Sequence, residues 1–359
     1  MENLSLIIPC YNEENTLEQC IQRIMELKNH NINLELIIVD DCSKDNSLNI
    51  AYNLEKRYPE VKVLKHEVNM GKGAALRTGF LSATGDYVGV QDADVEYNPI
   101  DYLKLLEPLK NGVADVVYGS RYLQPETRRI LYFWHTCMNK FLTFFSNMFT
   151  DLGITDMETC YKLFKKDVIQ KLAPQFKENR FGFEPEITAL ISENKCRVYE
   201  CAISYNPRSY EEGKKIGWLD GLRAIYCILH YGAYRAPLPM HILLYFIINS
   251  LSALTNIITF SVLINYCEFL YTIIIALALA ALCNYLLCII LIFKHLSRWW
   301  KGYIELLVYI ACVAVVCLLD ILFTSFFINC GVNNIIAKSI SIGLCFCFNY
   351  LFRRFIVFK

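Results

Sequence analysis

The sequence predicts an α/β domain on a mostly parallel sheet, followed by an all-α transmembrane domain of four helices. Three observations carry this. Early in the chain, short apolar runs alternate with helix-period stretches, as in sheets covered on both faces. Charge is lopsided: of 35 Lys/Arg and 35 Asp/Glu, only 7 and 3 fall after residue 235. That second part holds four apolar runs, each near the ~20 residues needed to cross a bilayer.

Strands are expected at 4–8, 34–39, 61–64, 87–90 and 115–118, with helices at about 14–28, 45–57, 72–83 and 99–111. Polar clusters follow the first, second and fourth strands: Tyr11 to Glu14, Asp40 with Asp41, and Asp92 with Asp94. Ligands of open α/β sheets bind at such carboxyl ends. Two aromatic segments, 129–149 and 216–235, mix Trp, Tyr and Phe with Lys or Arg. They are too polar to span a bilayer but suit its surface; core-facing helices are the alternative. The apolar runs lie at roughly 240–264, 270–293, 302–326 and 333–352. Arg235 precedes the first, Lys294, Arg298 and Lys301 separate the second and third, and Arg353, Arg354 and Lys359 follow the fourth. The first-to-second loop has no Lys or Arg, so the positive-inside rule places both termini and the first domain in the cytoplasm.

Asn284-Tyr285-Leu286 recurs as Asn349-Tyr350-Leu351, an offset of 65 residues. Two helical hairpins in parallel orientation follow from it. Asp320 lies inside an apolar run, where a carboxylate is costly; packing and transport are both open for it. The expected domains are 1–215, 216–237 (second surface helix and linker) and 238–359.

Hydrophobic residues make up 55% and charged residues 19%, with zero net charge. This excludes a disordered chain and gives no basic footprint for nucleic acid. The sixteen cysteines show no CxxC and no framework spacing, so reduced structural thiols are expected. The N-terminus lacks a signal-peptide pattern. Asp92-Ala93-Asp94 past a buried strand suits one hard cation, Mg2+ or Mn2+, with Glu96 as a further oxygen. Such a cation would neutralise a diphosphate leaving group. Gly71-Lys72-Gly73 opens a helix, where anions bind and lysine adds charge; an ordinary glycine-rich turn is the alternative. Asp40 and Asp41 can accept hydrogen bonds from a base or ribose.

Ile8 to Glu14, Val39 to Ser43, Gly71 to Gly73, Asp92 to Asp94 and Gly119 to Arg121 occur in that order. Together they resemble the family 2 glycosyltransferases of the polyprenyl-phosphate sugar synthase branch, over roughly residues 3–235. Dolichol-phosphate mannose synthase and the bacterial GtrB-type enzymes belong to that branch. The closing Asn349, Tyr350, Arg353, Arg354, Val357 and Phe358 resemble GtrA-like membrane domains. The resemblance implies a GT-A, Rossmann-like fold, a nucleotide-sugar donor of GDP-mannose or UDP-glucose type, and a dolichyl or undecaprenyl phosphate acceptor. By motif, Pro9, Tyr11, Glu13, Asp40 and Asp41 would cradle the nucleotide, and Asp92, Asp94 and Glu96 would hold metal and diphosphate. Glu96 stands where relatives often have Gln. Arg121 and Arg208 would face the acceptor phosphate.

A phosphate monoester is largely dianionic at neutral pH and needs no strong general base. Positioning by arginine then carries most of the task. Inversion at the anomeric carbon is a family expectation. Asp156 is the further catalytic candidate, polarising the acceptor or orienting the sugar; capping the next element is the alternative. Lys214 meets phosphate or only anionic headgroups. A processive polysaccharide synthase is the runner-up, but its QxxRW motif has only His295 to Trp299 as a match, without the Gln. A non-catalytic lipid-sugar flippase or scaffold is the third reading. A homo-oligomer is expected from the resemblance alone.

Overall fold

The computed structural model describes residues 2–123, 129–130, 132–207, 218–263, 265–266, 268–291 and 302–352. The chain divides into two units, Met1–Ala236 and Pro237–Lys359.

In the first unit, seven strands form one sheet: β1 (Glu2–Cys10), β2 (Ile32–Asp40), β3 (Val61–Lys65), β4 (Tyr87–Val90), β5 (Val116–Ser120), β6 (Lys162–Lys165) and β7 (Val198–Ala202). Their order is β3-β2-β1-β4-β6-β5-β7. All neighbours are parallel except β6, which runs antiparallel to β4 and β5. Strands β1 to β5 match the five expected runs. Leu4, Leu6, Ile7 and Ile8 of β1 are fully buried, as a central strand covered on both faces requires.

Helices α1 (Leu17–Met25), α2 (Ser47–Arg57), α3 (Lys72–Ser82) and α4 (Tyr102–Lys110) fill the connections. Helix α1 starts at Leu17 rather than residue 14, because Asn12 turns the chain at φ 54° and the loop is pinned to the next one. Glu13 N donates to Ser47 Oγ at 2.7 Å, and Asn46 N donates to Glu14 Oε2 at 3.0 Å. Helix α3 lies close on β1: a Cβ at Gly79 would sit 2.1 Å from Ile7 Cγ2.

Strand β6 was not expected from the sequence. It is four residues long, and its Lys162 is fully buried. The Lys162 ammonium donates to the carbonyls of Met157, at 3.0 Å, and Thr159, which satisfies the burial of its charge. Because β6 is antiparallel, the segment entering it sits at the carboxyl ends of β4 and β5.

Helices α5 (Phe133–Thr150), α6 (Lys166–Leu172), α7 (Phe183–Glu193) and α8 (Trp218–Cys227) complete the unit. Helix α5 buries Leu142, Ser146 and Phe149 and exposes Phe133, Trp134, Phe141 and Phe144. One face thus packs on the domain while the other presents aromatic rings.

The second unit is α9 (Leu238–Leu263), α10 (Phe269–Leu291), α11 (Gly302–Asn329) and α12 (Asn334–Phe352). These match the four apolar runs. Among the described residues, only α9 is long and apolar enough to count as a span; the others hold the shorter apolar stretches Ala278–Leu291, Leu307–Val316 and Gly343–Phe352. Tyr285 packs on Tyr309 at 5.2 Å between ring centroids, and Tyr350 on Tyr245 at 5.4 Å. Each tyrosine of the repeated motif therefore meets a tyrosine of the other hairpin. Lys294, Arg298, Lys301, Arg353, Arg354, Lys359 and the Asp320 side chain lie outside the described residues. The described cysteines are all free thiols.

Candidate active site

Strand β1 lies between β2 and β4, so connections leave it in opposite directions and open a crevice at the carboxyl edge. A cleft of about 650 Å3 occupies that edge. The loop after β1 contributes Pro9, Tyr11 and Glu13, and the end of β2 contributes Asp41. Asp92, Asp94 and Glu96 arrive after β4, Arg121 after β5, and Lys72 from the start of α3. Residues chosen from five separate motifs therefore line one cavity.

Lys72 Nζ lies 3.0 Å from Asp92 Oδ1 and 3.3 Å from Glu184 Oε1. Burial opposes its charge, but Asp92 and Glu184 outweigh it and raise its pKa well above the lysine norm. Gly71, at φ +98°, allows this placement: a Cβ there would fall 2.3 Å from the Asn179 carbonyl oxygen. Asp94 Oδ1 accepts from the backbone N of Glu96 at 3.1 Å. Glu96 Oε2 accepts the Tyr205 hydroxyl at 2.8 Å. The expected three-carboxylate metal set is not gathered: among the described residues, no three His, Cys, Asp or Glu groups converge as a cation cage.

The two aspartates ending β2 depart from expectation. Asp40 is fully buried, does not line the cleft, and accepts from Ser43 N at 3.1 Å. Its Oδ1 has no hydrogen-bond partner. Asp41 accepts from Met70 N at 2.9 Å and Gly71 N at 2.6 Å, and lies 2.7 Å from His66 Nδ1. Its carboxylate thus holds the glycine turn that presents Lys72, because backbone N–H groups in a turn need acceptors.

Arg121 and Asp156 form one buried unit. Nε donates to Oδ2 at 2.7 Å and NH2 to Oδ1 at 2.8 Å, and Arg121 N adds a third bond to Oδ2 at 3.0 Å. Burial acts against the guanidinium charge, yet Asp156 outweighs it and the pKa rises. Asp156 does not line the cleft. The expected contact of Asp156 with acceptor or sugar is therefore replaced by a hold on Arg121. The Arg121 guanidinium also lies 5.1 Å from the Tyr205 ring centroid. Arg208 and Lys214 lie outside the described residues.

Sequence reasoning missed Glu158, Arg180 and Glu184, which line the same cleft; Tyr205, which opens the segment holding Arg208, lines it too. Glu158 sits two residues from Asp156, the further catalytic candidate, and that proximity is the signal for it. Glu184 and Arg180 stand in a segment without pattern and reach the cleft through the tertiary fold alone.

Residues 5–173 match the model of glycosyl transferase family 2. The N-terminal domain belongs to glycosyl transferase family 2. Residues 244–358 match the GtrA/DPMS transmembrane domain. The family 2 region is similar to a dolichyl-phosphate beta-glucosyltransferase of Trichomonas vaginalis, 30% identical over 218 residues. That match covers 56% of this chain and 65% of the relative. A dolichol-phosphate mannosyltransferase of Pyrococcus furiosus is 30% identical, with 64% of each chain covered. A UDP-N-acetylglucosamine–dolichyl-phosphate N-acetylglucosaminyltransferase of Methanococcus voltae is 28% identical over 62% of this chain and 94% of its own. Among solved structures, glucosyl-3-phosphoglycerate synthase from Mycobacterium tuberculosis superposes with a TM-score of 0.50 at 18% identity, covering 64% of this chain and 78% of that one. That likeness supports the family 2 fold.

Proposed function

We propose that this chain is a membrane-bound glycosyltransferase that moves a hexose from a nucleotide-diphosphate sugar to a polyprenyl phosphate at the cytoplasmic face. The observation that carries this reading is the single cleft in which Lys72, Asp92 and Asp94 lie with Arg121. A donor diphosphate and an acceptor phosphate need two positive poles with a neutral sugar between them. The names of the relatives support the acceptor class, since each acts on dolichyl or dolichol phosphate. Those names differ in sugar, so the donor is proposed only as GDP-mannose or UDP-glucose type.

The donor set of Asp92 and Asp94 fits a divalent cation. Mg2+ is commonly held by one or two carboxylates, with water and substrate phosphates completing its shell, so a three-acid cage is not required. When bound, such a cation, Mg2+ or Mn2+, supplies charge neutralisation at the leaving diphosphate. Lys72, fixed in its charged state, adds a second positive group there. Pro9, Tyr11 and Glu13 form the wall for the nucleotide, with Asp41 shaping the adjoining turn.

Arg121 meets the acceptor phosphate. Asp156 takes Nε and one NH2 hydrogen, and the remaining guanidinium hydrogens are available to a ligand. Arg208 and Lys214, in the segment that follows in sequence, would add further positive charge. The acceptor dianion attacks without a strong base, so orientation is the main task of the protein. Attack from the face opposite the leaving group inverts the anomeric carbon. The GtrA-type domain crosses the bilayer four times, and α5 and α8 lie on its surface with their aromatic faces.

The test is a transfer assay with purified protein in detergent, a polyprenyl phosphate, Mg2+ or Mn2+ and a panel of UDP- and GDP-hexoses, read by mass spectrometry of the lipid. One lipid-phosphohexose that disappears with EDTA is expected, and Asp94→Asn should lose it by at least about a hundredfold while remaining folded. No lipid product from any donor overturns the reading; unchanged turnover in Asp94→Asn removes the metal assignment.

A further inference from the structure

We propose that Glu158 recognises the hexose of the donor by hydrogen-bonding one of its hydroxyls, and so sets which sugar the enzyme accepts. This deepens the donor reading above and rests on it.

Two observations place Glu158. It lines the cleft, yet its Oε1 is buried without a hydrogen-bond partner. A buried acceptor left unmade is costly, so most such atoms in proteins are satisfied by something. The same cleft is lined by Glu184, which pairs with Lys72, and by Arg121, whose partner is Asp156. Glu158 therefore lines one cleft together with Glu184 and Lys72 of the diphosphate pole and Arg121 of the acceptor pole. In a nucleotide-sugar and phosphate pair, the sugar is the uncharged part between those poles.

The state of the carboxyl suits that ligand. Burial, with Glu184 adding to it, pushes the Glu158 pKa up, which favours the neutral acid. A neutral carboxyl both donates and accepts, as sugar hydroxyls do, and it does not repel the phosphates on either side. The loop is built to hold it there. Lys162 turns back to bind the carbonyls of Met157 and Thr159 on either side of Glu158, and Asp156 anchors the loop to Arg121. A carboxyl fixed by its backbone is better suited to discrimination than one on a mobile loop.

The test measures binding without acceptor, on the full-length protein in detergent, by calorimetry with UDP, GDP, UDP-glucose and GDP-mannose. Deoxy analogues of whichever donor binds extend the series. For wild type, loss of one hydroxyl should weaken donor binding roughly tenfold. In Glu158→Ala the normal donor should weaken by about the same factor. The free nucleotide should bind that variant as it binds wild type, which also shows that it is folded. Removing the same hydroxyl should cost the variant nothing further, because the partner is already gone. Glu158→Gln, neutral and isosteric, should restore most of the loss. The proposal is overturned if Glu158→Ala weakens nucleotide and nucleotide sugar equally, which marks a structural role, or if it keeps the full penalty for the deoxy donor. A donor that binds normally but yields no lipid product overturns the acceptor reading and leaves Glu158 standing. Failure of wild type to bind any nucleotide sugar overturns both.

Discussion

Arg121 carries a charge into a site where only 8% of its surface is exposed, and Asp156 is the reason it can. Removing one member of such a pair leaves the other charge buried and uncompensated, at a cost of about 3–5 kcal/mol. Asp156→Asn keeps the shape and one acceptor, so its cost should fall below that range. Its kinetic effect should be lopsided: KM for the lipid phosphate rises, while donor KM holds. Steady-state kinetics with each substrate varied in turn would check this, and equal change in both would remove Asp156 from the acceptor half. The residue scale is also where the sequence was most legible. Pro9, Tyr11, Glu13, Lys72, Asp92, Asp94, Glu96 and Arg121 all reach the cleft, because short motifs at strand ends are held there by the sheet itself. Asp40 and Asp156 were misplaced for one shared reason: a carboxylate in a motif reads the same whether it serves the ligand or a neighbouring loop. Only the third dimension shows that Ser43 N and the Arg121 guanidinium claim them first.

The first five strands and their helices were legible because each is a continuous apolar run between turns. Strand β6 was not, since Lys162-Leu163-Phe164-Lys165 is short and ends in charge at both sides. Its lysine finds its partners across the loop, which no periodicity records. The β5–β6–β7 half of the sheet has its own fastening at the opposite edge from the cleft. Asp115, just before β5, accepts from Arg197 NH2 at 2.7 Å and Nε at 2.9 Å, and Lys165 Nζ lies 3.1 Å away. The Arg197 hydrogen bonds, with Lys165 adding to them against a smaller burial effect, hold the Asp115 pKa well below the usual carboxylate value. A depressed carboxylate pKa stabilises the fold above the unfolded value, about 3.9, and the gain is lost as pH falls below it. Asp115→Asn should therefore lower Tm by a few degrees at neutral pH, and the gap from wild type should narrow progressively as pH falls below that unfolded value. A gap independent of pH would show that packing, and not charge, joins these strands. Gly71→Ala belongs to the same scale, since it strains the turn that presents Lys72.

Two units make up the whole molecule. Among the described residues, those lining the cleft all belong to the first unit, so donor binding should not need the second. A protein ending at Ala236 is expected to bind nucleotide diphosphate as the full chain does. Its transfer to a long-chain acceptor in vesicles should fall sharply, and a short, soluble acceptor should restore it. Loss of nucleotide binding in that protein would assign the second unit a part in building the site. The sheet order has one more consequence, and it concerns synthesis. Strand β4 gains its second neighbour only when β6 arrives, with Gly89 opposite Leu163. About 70 residues separate the end of β4 from the start of β6, roughly 4–14 s of elongation at ~5–20 residues per second. If β1–β4 pair before β6 is made, their edge carries Val88 and Val90 unpaired, a surface on which chaperones, or a neighbouring polysome's product, can act.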